Sequence, residues 1–171
     1  MMIKEKVAEA LNEQLVSEFS AEAQYLAIAI YFEEEVLPEL AGFFFSQADE
    51  ERMHALKIVH FMLETGARPV VPAIGQMQTE FDGAEEAVAL ALEHEKKVTA
   101  EIDNLVSIAL DERDHTSNNF LQWFVNEQVE EVDTMTNLLQ TIRHAQGNLL
   151  WVEDYVRRNP QHADEGGVAA M

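Results

Sequence analysis

Residues that break helices are so sparse in this chain that their positions alone dictate a bundle of long helices. Pro38 and Gly42 mark one turn, Gly66, Pro69, Pro72, Gly75 and Gly83 lie along one connection, and Gly147 and Pro160 stand near the end. Proline removes a backbone donor and glycine costs the most conformational entropy in a helix, so the chain turns where they gather. The spacing predicts helices over about 3–36, 39–65, 83–112 and 115–145. A short fifth helix follows: Asn148 can cap it, Leu149, Val152, Tyr155 and Val156 give it one apolar face, and it stops before Pro160. No stretch has the length, β-branched density and alternation of a strand, so the fold class is all-α. Residues 1–160 read as one domain and 161–171 as a flexible C-terminal tail.

Connection lengths set the topology. The first and third turns are short and force antiparallel neighbours. Residues 67–82 can reach roughly 50 Å when extended, enough to run the roughly 40 Å length of a long helix and return the chain to its starting end. The result is an up-down-down-up four-helix bundle with a long crossover, the ferritin-like arrangement among bundles.

Charge narrows the partners. The 32 acidic and 11 basic side chains give a net charge of −21, which opposes binding to nucleic acid or to anionic membrane and favours multivalent cations. A hydrophobic fraction of 47% is enough for a core. With no cysteine there is no disulfide framework, thiolate-bound iron–sulfur centre or thiol nucleophile. No apolar signal core or membrane-length run occurs, and the chain reads as cytoplasmic.

Four glutamates sit where core residues belong. At about 100° per residue, Glu18 shares a face with Leu11, Leu15, Tyr25 and Phe32; Glu51 with Phe44, Ala55 and Ile58; Glu95 with Val88, Leu92 and Ile102; Glu131 with Phe124, Met135 and Leu138. Each lies near its helix midpoint, so all four reach one level of the bundle. Buried like charges cost several kcal/mol each, on the order of what only bound cations can offset. Two divalent ions would cancel them, and His54, three residues after Glu51, adds an imidazole in the Glu-x-x-His pattern of carboxylate-bridged bundles. Carboxylate with imidazole and no thiolate suits iron or manganese. Tyr25 reads as a core tyrosine bonded to a buried carboxylate or as a redox participant beside the metals. Trp123 and Met53 read as packing, and His60, His94, His115, His144 and His162 as surface residues.

With these residues in place, the chain resembles the non-haem bacterial and archaeal ferritins over nearly its whole length. The resemblance is carried by Leu11-Asn-Glu-Gln14, Glu18 through Tyr25-Leu26, Glu50-Glu51-Arg52-Met53-His54, His94-Glu95 and Phe120 through Glu131, including Glu127-Gln128. It implies a homo-oligomeric shell of 24 subunits that oxidises Fe(II) with dioxygen or hydrogen peroxide and stores the ferric mineral inside. It also implies one iron on Glu18, Glu51 and His54, with Glu51 bridging to a second on Glu95 and Glu131. A third iron site maps to Glu50, Glu127 and Glu130 with Glu131 shared. Gln128 falls at the position of a glutamine beside the ligands, and Tyr25 at that of a tyrosine beside the centre.

Three departures bear on this reading. Bacterioferritins carry Glu-x-x-His on both the second and fourth helices and a haem-ligating methionine after the first motif's glutamate; here the fourth helix reads Glu127-x-x-Glu130 and Arg52 follows Glu51, so no haem is expected. A rubrerythrin-type peroxidase would add a cysteine-rich module. Glu22, about 40° from Glu18 on the same face, stands where relatives carry a small residue. It reads either as a carboxylate bonded to a neighbouring helix or as an additional iron ligand. Iron storage with ferroxidase activity is the leading function. A di-iron oxygenase or peroxidase on the same bundle, and a non-catalytic acidic cation-binding bundle, are the alternatives.

Overall fold

Three of the long helices end in the same way, although only one of them ends on glycine. The computed structural model describes residues 1–160 and contains helices α1 (Glu5–Glu34), α2 (Pro38–Glu64), α3 (Ala84–Asp111), α4 (His115–Ala145) and α5 (Leu149–Arg158). Leu37 N–H donates to Phe32 O, Ala67 to Met62 O and Asp114 to Ala109 O, at 2.9, 2.8 and 2.8 Å. Each closes a Schellman turn around a left-handed residue: Val36 (φ 60°), Gly66 (φ 77°) and Arg113 (φ 55°). Burial of Leu37 against Phe32 offsets the strain at a β-branched valine. The expected helices hold to within two residues at each end. The 161–171 tail and His162 lie outside the described residues.

Side-chain contacts give the helix directions. Tyr25 meets Ala91 and Phe44, Gln128 meets Glu95, and Phe61 stacks on Phe120, so α1 is antiparallel to α2 and α3, and α4 to α2 and α3. The order is up-down-down-up. Two amides of α1 clamp the crossover along its length. Asn12 accepts from Val70 N and donates to Arg68 O, and Gln24 pairs in both directions with the Gln78 backbone. They lie 12 residues apart, about 18 Å of helix, which holds the crossover parallel to α1.

Capping closes the ends. Asp114 accepts from Ser117 N and Lys4 N, and Asn148 accepts from Trp151 N as expected. Glu153 of α5 reaches the start of α2, its two oxygens taking Glu39 N and Leu40 N at 2.9 Å each. A carboxylate there satisfies two orphan donors and meets the positive end of the helix dipole, so α5 docks through both charge and its apolar face. The apolar core falls into two clusters, one around Tyr25, Phe32, Phe44 and Met135, the other around Leu11, Leu15, Ile58, Ile102 and Phe124. Between them runs a polar belt.

Candidate metal centre

The belt is what the four interrupted stripes become when the helices pack. Glu18, Glu51, Glu95, Glu131 and His54 are 1–4% exposed, with Gln128 (3%) and Gln14 (3%) beside them. Two groupings have ligand atoms close enough to share an ion: Glu18, Glu51 and His54, and His54, Glu127 and Glu131. The imidazole sits between them. His54 Nδ1 lies 3.5 Å from Glu51 Oε2 and 3.7 Å from Glu18 Oε2, while Nε2 lies 3.9 Å from Glu127 Oε1. The 3.7 and 3.9 Å separations exceed hydrogen-bond distance, and Glu18 Oε2 and His54 Nε2 are buried without a hydrogen-bond partner. Orphaned buried donors and acceptors are rare in folded proteins. A hard or borderline cation is what such a set fits.

The other carboxylates are held by neighbours. Glu95 Oε1 accepts from the Tyr25 hydroxyl, which also approaches Ala91 O, and Glu95 Oε2 accepts from Gln128 Nε2 at 3.1 Å. Glu18 Oε1 accepts from Gln14 Nε2 at 2.7 Å. Trp123 packs its ring edge-on to His54 at 5.4 Å, with Lys57 Nζ 4.2 Å from the indole centroid. That contact packs α4 against the imidazole.

Burial favours the protonated form of the belt's carboxyl groups. Burial pushes Glu51 well above the usual carboxylate range, raises Glu95, and moves Glu131 up to about 9, with neighbouring carboxylates adding to each. Burial also lifts the Tyr25 phenol, aided by Glu95 and Glu51, so it stays a donor. Burial opposes charge on His54, but Glu127, Glu18 and Glu51 outweigh it and hold the imidazole protonated well above its ordinary pKa.

Placement of the remaining expected residues divides them. Glu50, half-buried and bonded to Gln47, is raised by burial and by Glu127. It lies within electrostatic reach of Glu127 and Glu131 but joins neither grouping, and Glu130 is exposed and joins neither as well. Glu22 also stays outside the two groupings; it is partly exposed and faces Arg52 Nη1 of α2 at 4.0 Å. Gln128 aims its amide donor at Glu95, which makes it a neighbour of a ligand. His94 departs from the surface position expected of it. It is half-buried, its ring edge-on to Tyr25 at 6.1 Å and its Nε2 buried without a hydrogen-bond partner. Burial keeps it below its ordinary pKa. His60, His115 and His144 are exposed as expected. Gln14 is the residue the sequence reading did not assign: it lies one turn before Glu18 in the same stripe, and a buried amide there was the available signal.

Known proteins resemble this chain in sequence and in fold. A family model described as a ferritin-like domain matches residues 8–145. Ferritin BfrB of Mycobacterium tuberculosis is 42% identical over 155 residues, which cover 91% of this chain and 86% of that protein. A bacterial non-heme ferritin of Staphylococcus aureus is 36% identical over 130 residues, 76% of this chain and 78% of that one. Among solved structures, an open pore ferritin from the hyperthermophilic archaeon Archaeoglobus fulgidus is similar with a TM-score of 0.88 at 35% identity, over 91% of this chain and 96% of that chain.

Proposed function

The chain belongs to the ferritin family, and from that premise we propose that its polar belt is a di-iron ferroxidase centre in which Glu18, Glu51 and His54 hold one iron and Glu51, Glu95 and Glu131 the other. The protein stores iron and oxidises Fe(II). The observation that carries the site assignment is the convergence of four mid-helix carboxylates from four helices on one buried imidazole, with buried ligand atoms lacking hydrogen-bond partners. Fe(II) and an oxidant are the substrates. Two Fe(II) each give up one electron; dioxygen takes the pair with two protons to become hydrogen peroxide, or hydrogen peroxide takes it with two protons to become two waters.

The residues do the positioning and the proton accounting. As Fe(II) binds, the protons held by Glu51, Glu95, Glu131 and His54 must leave, because each ligand coordinates in its deprotonated form. Tyr25 and Gln128 keep Glu95 oriented by donating to its two oxygens. The two apolar clusters above and below exclude water, which strengthens every charge interaction within the belt. Glu50 and Glu127, with Glu131, supply a further acidic position on the flank, suited to a third iron on its way out of the centre. Glu130, exposed and next to Glu131 in sequence, is assigned to the outer edge of that position.

The assembled protein is a shell of 24 subunits in the cytoplasm. Support for assembly comes from apolar residues left in water: Val16, Leu26 and Ile30 on one face of α1, Leu56 and Leu63 on α2, and Leu150 and Trp151 on α5 are 40–76% exposed. No helix among the described residues is long and apolar enough to cross a membrane. The reading without haem rests on Arg52, which follows Glu51 and faces Glu22. Mass and iron loading test the proposal together. It requires a particle of about half a megadalton, from 24 subunits of 19.4 kDa, taking up hundreds of irons, on the order of a mineral core rather than a cofactor. A small oligomer retaining two irons per subunit would favour a discrete oxygenase instead.

A further inference from the structure

The two oxygens of Glu18 have different surroundings. Oε1 takes a 2.7 Å hydrogen bond from the side-chain amide of Gln14, one turn earlier on α1, and both side chains are buried. Oε2 has no hydrogen bond and faces His54 Nδ1 at 3.7 Å. A carboxylate has about four lone-pair sites and ligates through one oxygen or both. A short charge-assisted bond to one oxygen occupies part of its donor capacity and fixes the plane of the group. Glu95 differs, since Tyr25 and Gln128 engage both of its oxygens.

We propose that Gln14 is a positioning residue of the ferroxidase centre: its amide anchors Glu18 Oε1 and presents Oε2 as the single ligating oxygen to the iron shared with Glu51 and His54. Gln14 thus matches Gln128, each being a buried glutamine on the terminal glutamate of one iron position. The inference rests on the site assignment made above. On its other side Gln14 borders a cleft of about 90 Å³ between α1 and α3, with Glu13, Glu101 and Asn104. The replacement must therefore keep the volume of the side chain, or water would enter and confuse loss of the donor with loss of the plug.

The test is an anaerobic Co(II) titration of the intact shell, read by the visible absorption of bound Co(II), whose position and intensity report coordination. The native protein binds two Co(II) per subunit, and His54→Ala identifies the band of the imidazole-containing position by deleting it. Gln14→Leu keeps similar bulk without a donor; it weakens that position about tenfold, the lower range for a lost partner of a metal ligand, and alters its band. Gln128→Leu weakens the other position instead. Should Gln14→Leu fail to assemble, Gln14→Met removes the donor with an unbranched chain of matching length. An unchanged band and affinity in the Gln14 variant, or equal weakening of both positions, overturns the inference. A native protein that binds no Co(II) pair, or a His54→Ala variant that loses no band, overturns the site assignment itself.

Discussion

Around Glu18, Glu51 and His54 the belt presents an imidazole among carboxylate oxygens at 3.5–3.9 Å, whereas around Glu95 the carboxylate is clasped on both oxygens by Tyr25 and Gln128. The first half centres on a charged imidazole, with a hydrogen bond from Gln14 on one oxygen of Glu18, and the second is held by hydrogen bonds on both oxygens of Glu95. A charge-organised site loses its order when the charged partner goes and regains it when a cation arrives. A hydrogen-bonded site stays shaped whether or not metal is bound. The contrast teaches that the two iron positions are inequivalent by construction, the imidazole half preorganised at one oxygen of Glu18 and the Glu95 half at both oxygens of its carboxylate.

The largest effect breaks the charge-organised half. His54→Ala removes a ligand and the cation of the metal-free belt; rapid Fe(II) oxidation, followed by stopped-flow absorbance, falls by about two orders of magnitude or more. Glu51→Gln is equally inactive, yet the melting temperature of the metal-free protein does not fall, because the amide has the shape of the protonated carboxyl that it replaces. Lower apo stability in Glu51→Gln would mean that the carboxylate is a structural partner.

Next in size is the dependence of apo stability on pH. Glu131 titrates at about 9 in the fold against 4.5 as the ordinary value. Between these values the native state holds a proton that the unfolded chain has lost, so raising the pH favours unfolding. His54, whose pKa is also raised in the fold, acts in the same direction: its stabilising charge is lost as pH rises through that value. Calorimetry of the metal-free shell should therefore show a melting temperature that falls from about pH 5 to about pH 9, with Glu131→Gln flattening the slope.

A smaller effect sharpens the hydrogen-bonded half. Tyr25→Phe removes the donor to Glu95 Oε1 while preserving the ring packed against Phe44. Oxidation slows about tenfold through looser placement of Glu95, and metal affinity at the His54 position stays unchanged. Loss of affinity at both positions would show that the halves are not separate. The smallest effect is that of Glu22→Ala. Its 4.0 Å pair with a 64% exposed Arg52 is of the solvent-screened kind, worth less than about 1 kcal/mol, and multi-turnover iron oxidation should be unaltered.

The sequence revealed most where a periodicity was interrupted. Glu18, Glu51, Glu95 and Glu131 were legible because each is a charge inside an apolar stripe, and helix ends were legible from Gly66, Asn148 and Pro160. Arg113 and Val36 were not marked as left-handed residues, since burial of the following turn rather than their own preference puts them there. Glu22 illustrates the limit of wheel arithmetic: about 40° from Glu18 on the wheel, its side chain is partly exposed and faces Arg52 of α2. His94 lies about 100° from Glu95, a flank whose covering by α1 depends on packing between helices. The role of Gln14 required a distance, because a stripe shows which face a residue takes and not which oxygen it binds.

The central claim is that the belt holds a pair of irons, and its most direct measurement is an anaerobic Fe(II) titration of the metal-free shell followed by oxygen exposure. Two Fe(II) per subunit should bind with release of protons from the belt, and both should oxidise in one fast optical phase that Glu51→Ala abolishes with the shell intact. Binding of no Fe(II) pair, or a fast phase that survives in Glu51→Ala, would contradict the account.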